Sequence, residues 1–446
     1  LTTRRRAAGA ADRLRQKLRS HEASIGVIGL GYVGLPLALE FVRAGFTVHG
    51  IDVDARRVEA LARGRSHIED VPGSLVRKSL ADGRFVPTTG FDVLSTVDAV
   101  IVCVPTPLRK TRDPDISYIV SALDEIAPRV HAGMLIVLES TSYPGTTEEV
   151  LLPRLQESGL KAGRDFFLAF SPERVDPGNK SYGIRNTPKV VGGMTAACGR
   201  VAAELYAQAV DTVVPVSSAR AAEMIKLLEN TFRSVNIGMV NEIALICDRL
   251  QLDVWEIINA AGTKPFGFMR FYPGPGLGGH CIPIDPHYLS WKLRTLDYHA
   301  RFIELASEVN GQMPNHVLSR VVDALNKRRK SLNGAKILLV GVAYKKDTSD
   351  TRESPALDLM RLLVARGAKV RYHDPFVPAL TAGAHGPASK SVALSAASLR
   401  PFDCVVIVTN HSAIDYQKVV DGSRIVVDTR DATRGIRRGR SKVVGL

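Results

Sequence analysis

Residues 273–285 read Pro-Gly-Pro-Gly-Leu-Gly-Gly-His-Cys-Ile-Pro-Ile-Asp, which sets Cys281 in a stretch too rich in glycine and proline for a helix interior. His280, Asp285 and His287 stand close by and are polar groups able to tune or use a thiolate. That makes Cys281 a candidate nucleophile. The residues alone leave open a structural loop cysteine, or a metal ligand with the two histidines. The other four cysteines, Cys103, Cys198, Cys247 and Cys404, lie in apolar or helix-like settings and read as small buried hydrophobes. Lys226 and Asn230 are four apart and share a face of a predicted helix. From that segment alone, Lys226 and Glu223 read as an ordinary surface pair.

A second constellation lies near the start. Residues 24–28 predict a short apolar strand, followed by Gly29-Leu30-Gly31-Tyr32-Val33-Gly34 and a helical pattern that ends near Gly45. The next strand, TVHGID, closes on Asp52, 18 positions after Gly34. Strand, glycines, helix and acid together predict a dinucleotide site. In it Gly29 makes the tight turn, Gly31 lets the backbone approach a pyrophosphate, and Gly34 allows close helix packing. An acid at the strand end favours NAD, whereas Arg56 and Arg57 could pair with the extra phosphate of NADP.

These residues need a scaffold of strand ends, and the pattern supplies one. Predicted strands over 98–104, 134–139 and 166–170 end at Thr106, at Ser140 and Thr141, and at Glu173. Each of these reads singly as a cap or turn residue, and jointly they outline one crevice. Helical periodicity takes over from 219 to 261, then over 288–293 and 299–326, with a break expected near Met313-Pro314. A new α/β rhythm starts at Lys336. Its loop at 345–353 carries Lys345, Lys346 and Arg352 and reads as phosphate-facing, or else as a solvated charged loop. Residues 383–397 are small and polar and predict a flexible loop. The expected fold is α/β, with two Rossmann-like doubly wound domains joined by a central helical segment. The boundaries fall at 1–215, 216–328 and 329–446, the helices serving as a spacer or dimer interface.

Bulk properties exclude several classes. The chain has 446 residues, 45% hydrophobic and 23% charged, and a mean hydropathy near zero, as in globular proteins. No apolar run approaches the ~18 residues of a membrane span. Five cysteines without paired spacing point to a reducing compartment, expected to be the cytoplasm. The net charge of +14 is spread and lacks aromatic interleaving, which argues against nucleic acid and suits an anionic substrate. Near the N-terminus LRQKLRS reads as a short amphipathic helix rather than a signal segment.

Taken in order, the stretches GVIGLGYVGLPLA, VPTP, EST, FSPERVDPG, KLLEN, GGHCIPID and GVAYKKDTSDTRESPA resemble the UDP-glucose/GDP-mannose dehydrogenase family over about residues 20–446. Residues 264–292 are most similar to the branch acting on UDP-N-acetylglucosamine. The UDP-glucose branch usually has Ser where this chain has His280, which either lines the pocket or biases the Cys281 thiol.

The resemblance implies a four-electron, NAD-dependent oxidation of a UDP-sugar at C6, through a thiohemiacetal and a thioester on Cys281. Lys226 and Asn230 then stabilise the C6 oxygen, Asp285 and Thr141 position water, and Glu173 transfers protons. Gly29, Gly31, Tyr32, Val33, Gly34, Asp52, Arg57, Thr106, Thr141 and Arg352 bind NAD. Glu173, Arg174, Lys226, Asn230, Phe271, Gly278 and Lys345 bind substrate. No metal, nucleic acid or membrane is expected, and the assembly is a homodimer or a higher homo-oligomer supplying acidic sugars for polysaccharide. The alternatives are UDP-glucose or UDP-N-acetylmannosamine as substrate, an epimerase with retained NAD, and a nucleotide-sugar sensor without catalysis.

Overall fold

A computed structural model describes residues 2–446 except 69, 110, 112, 177, 180 and 384–387, with backbone only for 2–8. The chain divides into two compact units, Leu1–Glu229 with His287–Asp297, and Asn230–Pro286 with Tyr298–Leu446.

The first unit is built on eight strands: β1 (Ser24–Ile28), β2 (Thr47–Ile51), β3 (Phe85–Thr88), β4 (Ala99–Val102), β5 (Leu135–Leu138), β6 (Phe167–Phe170), β7 (Lys189–Gly193) and β8 (Val213–Val216). They lie in the order β3-β2-β1-β4-β5-β6-β7-β8, and every neighbouring pair is parallel except β6 with β7. The central strands are unbroken apolar runs because helices cover both faces. The period of two divides each run between the faces. Ala99, Ile101, Leu135 and Val137 join a core with Leu35, Phe41, Val201 and Leu205. Val100, Val102, Ile136 and Leu138 join another with Ile119, Leu123 and Ile126. The N-terminal helix is longer than expected, Thr2–Arg19, and Arg15 and Arg19 both pair with Glu204 on the helix Ala196–Ala207, at 3.1 and 2.8 Å.

The second unit carries five parallel strands, β9 (Lys336–Val340), β10 (Lys369–His373), β13 (Cys404–Ile407), β14 (Val426–Asp428) and β15 (Val443–Gly445), in the order β10-β9-β13-β14-β15. A two-stranded ribbon pairs β11 (Ala379–Leu380) with β12 (Ser389–Lys390). Of the loop expected at 383–397, residues 384–387 lie outside the described residues. The rest is ordered by β12 and by a short helix, Ala396–Leu399, under a Ser395 capping box. The fold class is the α/β arrangement expected.

Two helices depart from a simple reading. Ala219–Leu250 runs unbroken for 32 residues. Arg301–Asn326 is also continuous, so the break expected at Met313-Pro314 does not occur. Proline there removes an amide and frees the carbonyl of Asn310. A β-carbon on Gly276 would come within 3.4 Å of that oxygen and 3.6 Å of the Pro314 ring, so the loop backbone covers the gap. No helix among the described residues is long and apolar enough to cross a membrane.

Candidate active site

The glycine turn after β1 is dictated by sterics. Gly29 has φ +92°, and a β-carbon there would sit 2.5 Å from the Cys103 carbonyl oxygen. One on Gly34 would sit 1.8 Å from the Gly29 oxygen. At Gly31 a β-carbon would meet nothing within 4 Å, so this glycine spares room on the open side of the turn. Asp52 is buried at the end of β2 and accepts hydrogen bonds from the amides of Leu30 and Asp54, both at 2.9 Å, with the Arg57 guanidinium 3.5 Å away. The carboxylate keeps lone pairs beyond those bonds. Open glycine backbone and an acid at the next strand end fit a dinucleotide. Tyr32 is exposed beside the turn. His67, which the sequence reading passed over, bonds through Nε2 to the Leu30 oxygen at 2.8 Å.

The strand ends carry the remaining groups of this unit. Thr106 is buried, and its carbonyl accepts from the Tyr288 hydroxyl at 3.0 Å. Thr141 is buried at the start of a loop held by Glu223. That carboxylate accepts from the Gly145 amide at 2.6 Å and from the Thr147 amide and hydroxyl at 2.9 and 2.7 Å. Burial pushes the Glu223 carboxyl up, with these bonds working against it. The expected surface pair of Glu223 and Lys226 is therefore corrected: both are buried, and the acid serves the Thr141 loop. Arg174 is clasped by Glu229 at 2.6 and 3.3 Å and by the Pro188 carbonyl at 2.6 Å. Glu173 faces Lys189, which pairs with Glu139; only Glu173 of these three stood out in the sequence.

In the second unit the cysteine loop is cinched at several points. The Gly274 amide donates to Asn241 at 2.9 Å, and Asn241 in turn donates to Asn310 at 2.8 Å. Gly279 has φ +89°, and a β-carbon there would strike the Tyr344 ring at 2.7 Å; its amide donates to the Arg352 carbonyl at 3.0 Å. Gly278 is as tightly held, against Tyr344, Glu353 and Pro355. The loop carrying Cys281 is thus packed on the loop carrying Lys345 and Arg352. The Arg352 guanidinium forks onto Asp350 at 3.0 and 2.6 Å.

Cys281 itself is half-buried, and its carbonyl accepts the amide of Asp285 at 2.8 Å, closing the turn before the helix Asp285–Arg294. Asp285 is fully buried and accepts from the Asn230 amide, whose oxygen accepts from Arg233. Lys226 lies one turn earlier on the Asn230 helix and is buried. Phe271 packs edge-on to Phe232, ring centres 5.7 Å apart. Arg430, unremarked in the sequence, reaches the Val408 carbonyl at 3.0 Å beside Gly274, and burial lowers its pKa to about 10. Among the described residues no cluster of three or more His, Cys, Asp or Glu is arranged to hold a metal ion.

Three segments match the UDP-glucose/GDP-mannose dehydrogenase family in sequence: its NAD binding domain over 23–210, its central domain over 220–312 and its UDP binding domain over 338–435. The chain belongs to that family. An NAD-binding domain is therefore present, in the segment that holds the glycine turn, and the chain is an NAD-dependent oxidoreductase of the nucleotide-sugar dehydrogenase class. One relative is the UDP-N-acetyl-D-glucosamine 6-dehydrogenase of Pseudomonas aeruginosa, 36% identical over 360 residues that cover 80% of this chain and 84% of that protein. Another is the UDP-N-acetyl-D-mannosamine dehydrogenase of Escherichia coli K12, 35% identical over 92% of this chain and 99% of that one. The structure of a UDP-D-ManNAc dehydrogenase from Pyrococcus horikoshii superposes with a TM-score of 0.84 at 31% identity, covering 95% of this chain and 98% of that one.

Proposed function

We propose that this family member oxidises the C6 hydroxymethyl of a UDP-sugar to a carboxylate, with UDP-N-acetylglucosamine as its substrate. The observation that carries the reading is Cys281: a half-buried thiol on a loop fixed by its neighbours, one turn before a buried aspartate that Asn230 holds. Bound NAD supplies the hydride acceptor, one molecule for each two-electron step. The turn at Gly29, Gly31, Tyr32, Val33 and Gly34, with Asp52, Arg57, Thr106, Thr141 and Arg352, holds it.

The chain's own groups do the rest. The Cys281 sulfur adds to the C6 aldehyde, and Lys226 and Asn230 steady the charge that builds on the carbonyl oxygen before the thiol proton reaches it. That proton is released to solvent when the adduct gives up its hydride. Once the adduct is oxidised to a thioester, a water held by Asp285 and Thr141 attacks it. Glu173 takes the water's proton, the C–S bond breaks, and the thiol is restored with release of the carboxylate. Arg174, Phe271, Gly278 and Lys345 grip the substrate. NAD belongs to 1–215 and the UDP-sugar to 329–446, while the helices of 216–328 join two copies.

The name of the P. aeruginosa relative supports the glucosamine sugar. The E. coli relative and the P. horikoshii structure favour a second reading, UDP-N-acetylmannosamine. The test is the NADH yield on limiting sugar nucleotide. Two NADH per UDP-N-acetylglucosamine, lost in Cys281→Ala, is the expected result. Two per UDP-N-acetylmannosamine or UDP-glucose keeps the mechanism and replaces the sugar. Tight binding without NADH from any of them overturns the reading in favour of a sensor.

A further inference from the structure

The reversed direction of β7 has a chemical consequence. In a parallel sheet, ligands meet the carboxyl ends of the strands. Because β7 runs antiparallel to β6, its first residue, Lys189, lies at that same end. There its Nζ pairs with Glu139 Oε1, just past β5, and stands 3.8 Å from Glu173 Oε2, just past β6. The three side chains are 6%, 0% and 12% exposed. The second oxygen of Glu139 accepts from the Tyr206 hydroxyl at 2.7 Å, and that of Glu173 from the Val175 amide at 2.5 Å. Two carboxylates therefore share one ammonium where water scarcely reaches. Cys103, at the end of β4, and Lys226, on the long helix, are the other titratable groups of this cluster. Burial drives the Cys103 thiol well up; Glu139 and Glu173 add to that, and Lys189 and Lys226 oppose it.

We propose that Lys189 is a positioning residue for Glu173: its ammonium, divided between Glu139 and Glu173, holds the Glu173 carboxylate in place at the carboxyl ends of the strands. This rests on the proposed function in giving Glu173 the proton transfer of thioester hydrolysis. A plain structural ion pair would tie β5 to β7 and leave Glu173 indifferent. A shared ammonium makes substitutions at its two ends act differently. Glu139→Gln removes the competitor and commits Lys189 to Glu173. Lys189→Met removes the cation and releases the Glu173 carboxylate. Lys189→Arg keeps the charge and restores the wild-type behaviour.

The experiment reads thioester hydrolysis as decay of the covalent Cys281 adduct by mass, beside the rate at which the adduct forms. Lys189→Met is expected to slow the decay ~10-fold or more while adduct formation stays near the wild-type rate, and Lys189→Arg to restore it. Glu139→Gln is expected to keep the wild-type decay, because Lys189 still holds Glu173. Decay unmoved in Lys189→Met, or slowed as much in Lys189→Arg, overturns the assignment of Lys189. If Lys189→Met does not fold, decay slowed in Glu139→Gln as far as in Glu173→Gln overturns it alone. Wild-type decay in Glu173→Gln removes Glu173 from the chemistry, and the proposed function fails at that residue rather than at Lys189.

Discussion

Asn230 illustrates how much one side chain carries. Its amide nitrogen serves Asp285 and its oxygen receives Arg233, so it links a buried acid to a cation while facing the same way as Lys226. Asn230→Ala removes a donor from the group proposed to steady the C6 oxygen. The expected effect is a ~100-fold fall in kcat. Steady-state kinetics check this, and the KM for NAD, whose family domain covers 23–210, should stay near the wild-type value. The residue scale is also where sequence reading had least purchase. Glu223 contacts Thr147 across 76 positions, Lys189 contacts Glu139 across 50, and Asn241 contacts Asn310 across 69. No local period marks such partners. Lys226 and Glu223 looked like surface residues because a helix buried over a wide face keeps its charged residues in sequence while hiding them in space.

Elements were more legible, because strands and turns declare themselves locally. The apolar runs of β4, β5 and β6 and the turn at Gly29 follow from side-chain volume and backbone sterics over a few positions. Pro314 misled for the opposite reason, since its ring and the carbonyl it frees lie against Gly276, far away in the chain. The cysteine loop gives a sharp test. Gly279→Ala adds a β-carbon 2.7 Å from the Tyr344 ring at a backbone angle that alanine resists. It should cut kcat/KM by more than tenfold while the melting temperature of the NAD-binding unit barely moves, as calorimetry would show.

Asp374 gives an acid-stability test in the other sheet. It accepts from the amides of Val342, Ala343, Phe376 and Val377 and from His411 Nε2. Burial works to raise its pKa, and His411 and the amides outweigh it, so the carboxyl titrates below its ordinary 3.8. A depressed acid stabilises the fold above its unfolded value and loses that contribution as pH falls through the folded value. Asp374→Asn should therefore lower stability at neutral pH by ~1–3 kcal/mol and flatten the further loss below about pH 4, measured by urea unfolding.

At the scale of the molecule, the long helix shows two characters. At about 100° per residue, Leu228, Phe232, Met239, Ile246 and Leu250 fall within about 40° of one another, and all five are exposed. Lys226 and Asn230 lie on the opposite side. A second copy of the chain is the occupant proposed for the apolar side, and Phe232→Glu with Met239→Glu should yield monomers by light scattering. A homodimer that persists in the double variant would move the contact elsewhere.

Both sheets begin with the same device, and it is used differently. Gly341, like Gly29, has a positive φ and lies against a neighbouring strand-end carbonyl, Thr409 in place of Cys103, and Asp374 stands where Asp52 does. Asp52 holds two amides and, at 3.5 Å, one arginine, which leaves lone pairs able to accept a sugar diol. Asp374 is already saturated by five donors. With Asp52 as the proposed ribose anchor, an adenine dinucleotide finds in the first sheet an acceptor that Asp374 does not offer in the second. However far NAD outnumbers sugar nucleotide around this enzyme, the proposed anchor has no open counterpart at Asp374, which would make the cofactor a poor competitor for its partner's place.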